Sequence, residues 1–221
     1  EVQKQKIYDS RMQTTDELLR ILNALTVKPK VLVNASAIGI YPASTSTRYT
    51  EKSKEVGTDF LARTVRDWEL KAKSAEELQI RVAYGRFGII LGKSEGALPL
   101  MALPYKLFVG GPIGTGDNWM SWVHVKDVAS ALLFAIEQPI SGPFNITAPH
   151  AKKMNDFGKT LATVLNRPHY FPVPSFALKF ALGEKSQLVI EGQHVIPQVL
   201  LDEGFTFHFP NLESALRAIY K

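Results

Sequence analysis

Cysteine is absent from this chain of 221 residues. That absence excludes disulfides, thiolate nucleophiles and zinc–thiolate sites, and it fits a reducing, cytoplasmic compartment. Long apolar runs are missing as well. None approaches the roughly 20 residues that a membrane span needs, so no membrane partner is expected. Runs of basic residues are also missing. The formal net charge is +5, but Lys and Arg are scattered over helices and loops. The charge therefore reads as a mildly basic surface, and no nucleic-acid partner is expected. The first residues, Glu1-Val2-Gln3-Lys4, show neither an initiator methionine nor a signal-peptide pattern. They read as the interior of a longer polypeptide.

What is present is an ordinary globular composition, 45% hydrophobic and 21% charged, enough for one sizeable core. Ile7, Arg11, Thr14, Leu18, Leu22 and Leu25 recur at helical spacing and predict an amphipathic helix over about residues 3 to 26. The apolar run Val31-Leu32-Val33 then leads into Asn34-Ala-Ser-Ala-Ile-Gly-Ile-Tyr41. A short apolar run ending in small residues and a glycine reads as a buried strand passing into a functional loop. In open α/β sheets ligands sit at such carboxyl ends, which makes Ser36 a candidate. Thr58 or Asp59 is expected to cap a helix with the inward stripe Leu61, Val65, Trp68, Ala72 and Ala75. Gln79 to Leu91 reads as a second strand region, Asp127 to Glu137 as a helix, and Phe144 to Thr147 as a third strand. Helix and strand alternate through residues 1–149, which argues an α/β fold with a parallel, Rossmann-like sheet and right-handed crossovers. Residues 150–221 read as a small, mainly helical C-terminal domain. There Asn155 caps one helix, short helical patches cover Phe176 to Leu182 and Ser186 to Glu191, and Asn211 introduces the last helix.

Two catalytic signatures are missing. Gly110, Gly111, Gly114 and Gly116 do not join a strand to a helix start, so they are no dinucleotide fingerprint. A tyrosine followed four residues later by lysine occurs nowhere. Such a pair shares one helix face and lowers the phenol pKa. Ser36 can hydrogen-bond a carbonyl oxygen, but needs a proton donor beside it. His124, in Ser121-Trp-Val-His-Val-Lys-Asp127, is the candidate for proton transfer; its other reading is that His124 and Asp127 cap the following helix. Arg86, near a strand end, is either paired in the core or turned to an anion. Arg11 lies on the inward stripe of its helix, where an arginine meets an anion or a carboxylate, and Glu69 is a candidate partner. No metal site is expected.

A set of short motifs then occurs in order: Lys6-Ile-Tyr-Asp-Ser-Arg11, Asn34-Ala-Ser-Ala-Ile-Gly39, Asp59-Phe-Leu-Ala62, Trp68-Glu69, Arg86-Phe-Gly-Ile-Ile-Leu91, Gly110-Gly-Pro-Ile-Gly114, Ser121-Trp-Val-His124, Asn145-Ile-Thr-Ala-Pro149 and Gly192-Gln-His-Val-Ile-Pro197. Together these resemble the epimerase-like, atypical short-chain dehydrogenase/reductase family, which carries a helical C-terminal domain of unknown function. The resemblance implies an NAD(P)-binding fold, with NADP favoured over NAD. It implies that about the first third of the family's chain, with the glycine-rich phosphate turn, lies outside this sequence. By position, Ser36 and Ala37 border the nicotinamide, Arg86, Phe87 and Gly88 line its pocket, and Arg11 lies near the cofactor. Phe60 and Leu61 fall where a typical member places its catalytic tyrosine, and Thr64 where it places the lysine. The expected function is an NAD(P)-dependent, epimerase-like oxidoreductase acting on a small carbonyl or sugar-like substrate. The alternatives are a non-catalytic NADP sensor and a homo-oligomeric interaction module.

Overall fold

The computed structural model describes residues 2–112, 114–172 and 192–221. Helix α1 (Val2–Ala24) leads into strand β1 (Val31–Ala37). The chain then makes a 3-10 turn (Ile38–Ile40), the short strand β2 (Arg48–Tyr49) and helix α2 (Phe60–Lys73). Asp59 starts α2 by accepting the Ala62 N–H at 2.9 Å, as an N-cap should. Strand β3 (Arg81–Phe87) follows, separated from β4 (Ile89–Leu91) by Gly88. Any Cβ at Gly88 would lie 2.5 Å from the Ser121 carbonyl oxygen, so only glycine fits this crossing. Helix α3 (Leu98–Lys106), β5 (Trp119–Met120), β6 (Trp122–His124), helix α4 (Val125–Glu137) and β7 (Gly142–Ile146) complete this part. Beyond it lie β8 (Lys152–Lys153), α5 (Met154–Leu165), β9 (His194–Val195), α6 (Gln198–Asp202) and α7 (Leu212–Tyr220).

The central sheet is parallel, in the order β1-β3-β7. Strand residues alternate between its faces. Leu32, Val82 and Tyr84 pack with Leu22 of α1 and Ala72 of α2. Val33, Ala83, Phe87 and Phe144 pack with Val128 and Ala131 of α4. The two connections advance across the sheet in the same direction yet place α2 and α4 on opposite faces. They are therefore of opposite hand, and the expectation that each is right-handed fails for one. The β3-to-β7 connection is no simple strand–helix–strand unit, because it passes through β4, α3, β5 and β6 first.

Several local expectations shift. Leu22 of the expected α1 stripe is buried and Leu18 packs beside it, but further toward the N-terminus Met12 and Thr15 take the inward places rather than Arg11 and Thr14, and Ile7 and Leu25 are exposed. Of the next expected stripe, Val65, Ala72 and Ala75 are buried, but Leu61 is on the surface, and Ala62, Thr64 and Glu69 are buried beside that stripe. Helix α5 begins after Lys153, and Asn155 lies in its first turn rather than at its cap. The helical patches expected within 176–191 lie outside the described residues. One apolar core draws on both sides of residue 149, joining Leu91, Leu98 and Trp122 to Phe157, Leu161 and Leu216. Among the described residues no helix is long and apolar enough to cross a membrane.

Candidate functional site

Each strand of the central sheet carries a polar residue near its carboxyl end, at one register level: Ser36 opposite Arg86, and Arg86 opposite Asn145. All three point to the face covered by α2, and all are buried. Glu69 on α2 meets them from above. The Arg86 guanidinium donates from Nε and Nη2 to the Glu69 carboxylate, each at 2.8 Å, and from Nη1 to the Tyr41 hydroxyl at 2.8 Å. Ser36 donates its hydroxyl hydrogen to Glu69 at 2.5 Å. Tyr41 passes its hydrogen to the Asn145 side-chain oxygen, and the Asn145 amide donates to the Ile196 carbonyl. Every member has a partner, the condition under which a buried polar layer holds one geometry. Burial pulls the Arg86 pKa down, but Glu69 and Tyr41 outweigh it and hold the guanidinium above its ordinary value. Burial raises the Tyr41 pKa, despite the opposing pull of Arg86.

In front of this layer lies an apolar rim. Ala37, Phe87 and Gly88 are half-buried at the strand ends. Leu61, 36% exposed, packs toward Gly39 in the loop after β1. On the other side, the C-terminal segment walls the strand ends. Ser121 donates to the Gln193 carbonyl and accepts the Val195 N–H, Thr147 donates to the Val195 carbonyl, and the Gln193 amide donates to the Tyr41 carbonyl. Glu51 accepts the backbone N–H groups of Asn145, Gln198 and Val199, tying β7 to the start of α6. Burial raises the Glu51 pKa, and those N–H groups act against it.

A cavity of about 350 Å³ runs between α1 and the open edge of β1, lined by Ser10, Arg11, Thr14, Asn34, Ala35 and Trp68 among others. The Arg11 guanidinium lies over the Trp68 ring at 5.6 Å and donates to the Ile7 carbonyl and the Ser10 hydroxyl. Among the described residues it pairs with no carboxylate. Glu69, one candidate for that role, belongs to Arg86.

The structure thus separates the sequence candidates into three places. Ala37, Phe87 and Gly88 lie at the strand ends, Ala37 opposite Phe87 in register, while Leu61 stands on α2 against Gly39. Ser36 and Arg86 are buried beside them, Ser36 donating to Glu69 and Arg86 to Glu69 and Tyr41. His124 lies at the head of α4, on the other side of the sheet from Ser36. Its Nδ1 accepts the Lys126 N–H at 3.1 Å, so the ring carries its hydrogen on Nε2, and it packs on Phe209. Burial lowers its pKa. Asp127 beside it holds the His208 and Phe209 N–H groups. Tyr41, Asn145 and Glu51 went unread as site residues. A polar residue near the end of each strand hints at Asn145, but nothing local points to Tyr41 or Glu51, which lie outside the three strands. Among the described residues no cluster of three metal-ligating side chains occurs.

Comparison with known proteins accords with this geometry. Residues 1–147 match the model of the NAD dependent epimerase/dehydratase family, and residues 173–219 match a domain of unknown function, DUF1731. The epimerase family protein YfhF of Bacillus subtilis is 47% identical over 214 residues, spanning 96% of this chain and 70% of that protein. The human epimerase family protein SDR39U1 (isoform 2), solved with NADPH, is 32% identical with a TM-score of 0.92, over 100% of this chain and 75% of that one. A nucleoside-diphosphate sugar epimerase from Corynebacterium glutamicum is 30% identical with a TM-score of 0.81, over 100% of this chain and 44% of that one.

Proposed function

The chain belongs to the NAD-dependent epimerase/dehydratase family, and on that premise we propose that it is an NAD(P)-binding, oxidoreductase-like protein whose strand-end rim takes the nicotinamide. The observation that carries this reading is the buried polar layer of Ser36, Arg86, Asn145 and Glu69 at strand ends that finish in the half-buried, apolar Ala37, Phe87 and Gly88. An apolar rim suits a planar ring, and a fixed layer holds that ring in place. The cofactor, when bound, would exchange a hydride with a small carbonyl or sugar-like substrate. The NADPH in the human relative favours NADP over NAD.

The fit is to the nicotinamide side. The given residues contain no glycine-rich turn between strand and helix to cradle a pyrophosphate. Arg11, with the hydroxyls of Ser10 and Thr14, supplies a cation and donors for an anionic group along the β1 edge. Arg86 acts as a positioning residue: it fixes Glu69, and Glu69 fixes Ser36. Because Ser36 has given its hydrogen to Glu69, it offers a ligand only oxygen lone pairs. It orients a donor group rather than protonating a carbonyl. His124, turned to its cap, leaves proton transfer to a water. A cytoplasmic setting stays part of this proposal.

A second reading is specifically supported: a non-catalytic NADP sensor. Phe60 stands where the family resemblance expects a tyrosine, and a phenyl ring donates no proton. One experiment separates both readings from failure. NADPH and NADH are titrated against the protein by nicotinamide fluorescence, and single-turnover hydride transfer is then followed over a carbonyl panel. A saturable NADPH response is expected. No response to either nucleotide overturns both readings. Binding without hydride transfer to any substrate leaves the sensor.

A further inference from the structure

Residues 192–199 carry the C-terminal part of the chain back across the strand ends. Their course begins at a close crossing. A Cβ at Gly192 would overlap the Trp119 carbonyl oxygen, so only glycine passes there. Strand β9 then pairs parallel with β2, His194 opposite Arg48 and Val195 opposite Tyr49, and the Ile196 N–H extends the ladder to the Tyr49 carbonyl at 2.8 Å. Successive side chains take opposite sides. His194 stacks on the Trp119 ring, with centroids 3.9 Å apart, and Val195 is buried among Ile38, Tyr41 and Tyr49.

The polar ties of this segment end on the buried layer. The Gln193 amide donates to the Tyr41 carbonyl at 3.1 Å, and the Ile196 carbonyl accepts the Asn145 amide at 3.0 Å. Glu51 closes the connection. Its carboxylate takes the Asn145 N–H at 2.8 Å, the Gln198 N–H at 3.2 Å and the Val199 N–H at 3.3 Å. Bonds from N–H groups to a carboxylate are charge-assisted and stronger than neutral ones. Both sides meet at Tyr41. Gln193 fixes its carbonyl, Tyr49 stacks on its ring at 5.1 Å, and its hydroxyl joins Asn145 to Arg86.

We propose that residues 193–199 are a positioning element for the strand-end layer, and that Glu51 is the positioning residue that ties them to it. This rests on the reading that the strand ends take the nicotinamide, and it gives the DUF1731 part of the chain a supporting role at that site. The route is continuous. Glu51 fixes the Asn145 backbone, the Asn145 side chain fixes the Tyr41 hydroxyl, and Tyr41 shares Arg86 with Glu69, which holds Ser36. A site held to about 0.5 Å needs such outer support. Attachment of the C-terminal part does not require these ties, because the apolar core that joins Phe157, Leu161 and Leu216 to Leu91, Leu98 and Trp122 already provides it.

The test pairs cofactor binding with a measurement that needs no cofactor. Glu51→Ala removes the acceptor of three N–H groups, Glu51→Gln keeps one acceptor oxygen, and Arg81→Ala destabilises the chain from the far end of β3. In NADPH titrations by nicotinamide fluorescence, affinity is expected to fall about tenfold in Glu51→Ala and by less in Glu51→Gln. Arg81→Ala should leave it unchanged, although all three variants lower Tm. The Tm losses are then compared in a cycle with Tyr41→Phe, which cuts the hydroxyl link between Asn145 and Arg86. Glu51→Ala and Tyr41→Phe together should lose less than their sum, whereas Arg81→Ala and Tyr41→Phe should add. Additive losses for Glu51 and Tyr41 overturn the proposal. So does an NADPH affinity that Glu51→Ala leaves unchanged, or that Arg81→Ala lowers as much, since the tie would then serve stability alone. No NADPH response in the unsubstituted protein overturns the nicotinamide reading instead, and the cycle then decides by itself whether Glu51 acts on the layer.

Discussion

Arg86 and Arg11 lie on the same side of the sheet and are alike as sequence signals, yet the fold uses them in opposite ways. Arg86 is buried, and Glu69 and Tyr41 take its donors. Arg11 is half-buried beside a cavity, and among the described residues it meets a ring, a carbonyl and a hydroxyl but no carboxylate. A guanidinium that is buried and paired to a carboxylate, as Arg86 is with three of its N–H groups on Glu69 and Tyr41, serves geometry. One that borders open space without a counter-ion remains available to an anion. Burial and a carboxylate partner therefore separate a positioning arginine from a binding arginine where residue type and strand position do not.

The strongest way to break this contrast is to remove one half of the buried pair. Arg86→Met leaves the Glu69 carboxylate buried without its cation, and a loss of about 3–5 kcal/mol in folding free energy is expected. Glu69→Leu should cost a similar amount. The double variant should cost clearly less than the sum, since it leaves no buried charge unpaired. Urea denaturation of the three variants measures the coupling. Additive losses would mean that the two residues do not act as a unit.

A third arginine sharpens the scale. Arg81 donates to the Ala135, Ile136 and Ile140 carbonyls at the end of α4. It is a C-terminal helix cap supplied from β3, placed where the helix dipole favours a cation. Its partners are backbone oxygens, and water can replace part of what they lose. Arg81→Ala should therefore cost about 1.5–3 kcal/mol, less than Arg86→Met, by the same denaturation measurement. A loss equal to that of Arg86→Met would show that burial, and not the unpaired carboxylate, sets the cost.

These differences show what a sequence can carry. Val31-Leu-Val33 and Arg81-Val-Ala-Tyr84 announce strands because their apolar content exceeds what a loop tolerates. Asp59 announces α2 because its cap is local. The polar layer was not legible, because Ser36 and Glu69 are 33 residues apart and Tyr41 and Asn145 104 apart. Their meeting depends on strand register, which no local pattern sets. Leu61 was turned the wrong way because Ala62 takes the inward place in the first turn of α2, and Glu69 was not read as inward because a buried carboxylate is intelligible only once Arg86 stands beneath it. The strands β5, β6 and β8, two or three residues each, are too short for any periodicity.

Acid offers a smaller effect that bypasses the arginines. Burial lowers the pKa of His124, His169 and His194. The unfolded chain then binds protons more readily than the folded one. The stability these rings contribute is complete above the ordinary histidine pKa of about 6.5 and is lost as pH falls through their folded values. Glu51, with its pKa raised by burial, has the opposite sign, since its protonation favours the folded chain. Tm should fall by a few degrees between pH 7 and pH 5.5. His124→Asn keeps an oxygen to cap Lys126 and should flatten that slope. An unchanged slope would assign the pH dependence to the other two rings.

The smallest effect on stability, and the sharpest test of the contrast, is expected at Arg11. Arg11→Ala removes a side chain that closes no ion pair in the described residues, so folding free energy should change by less than about 0.5 kcal/mol. Affinity for NADPH should nevertheless fall at least tenfold, equivalent to about 1.4 kcal/mol, in the fluorescence titration. Arg11→Lys should recover part of that loss, because an ammonium keeps the charge but not the planar fork. A loss of 2 kcal/mol or more in stability with unchanged cofactor binding would make Arg11 a structural arginine like Arg86, and the cavity beside it would then be a packing gap.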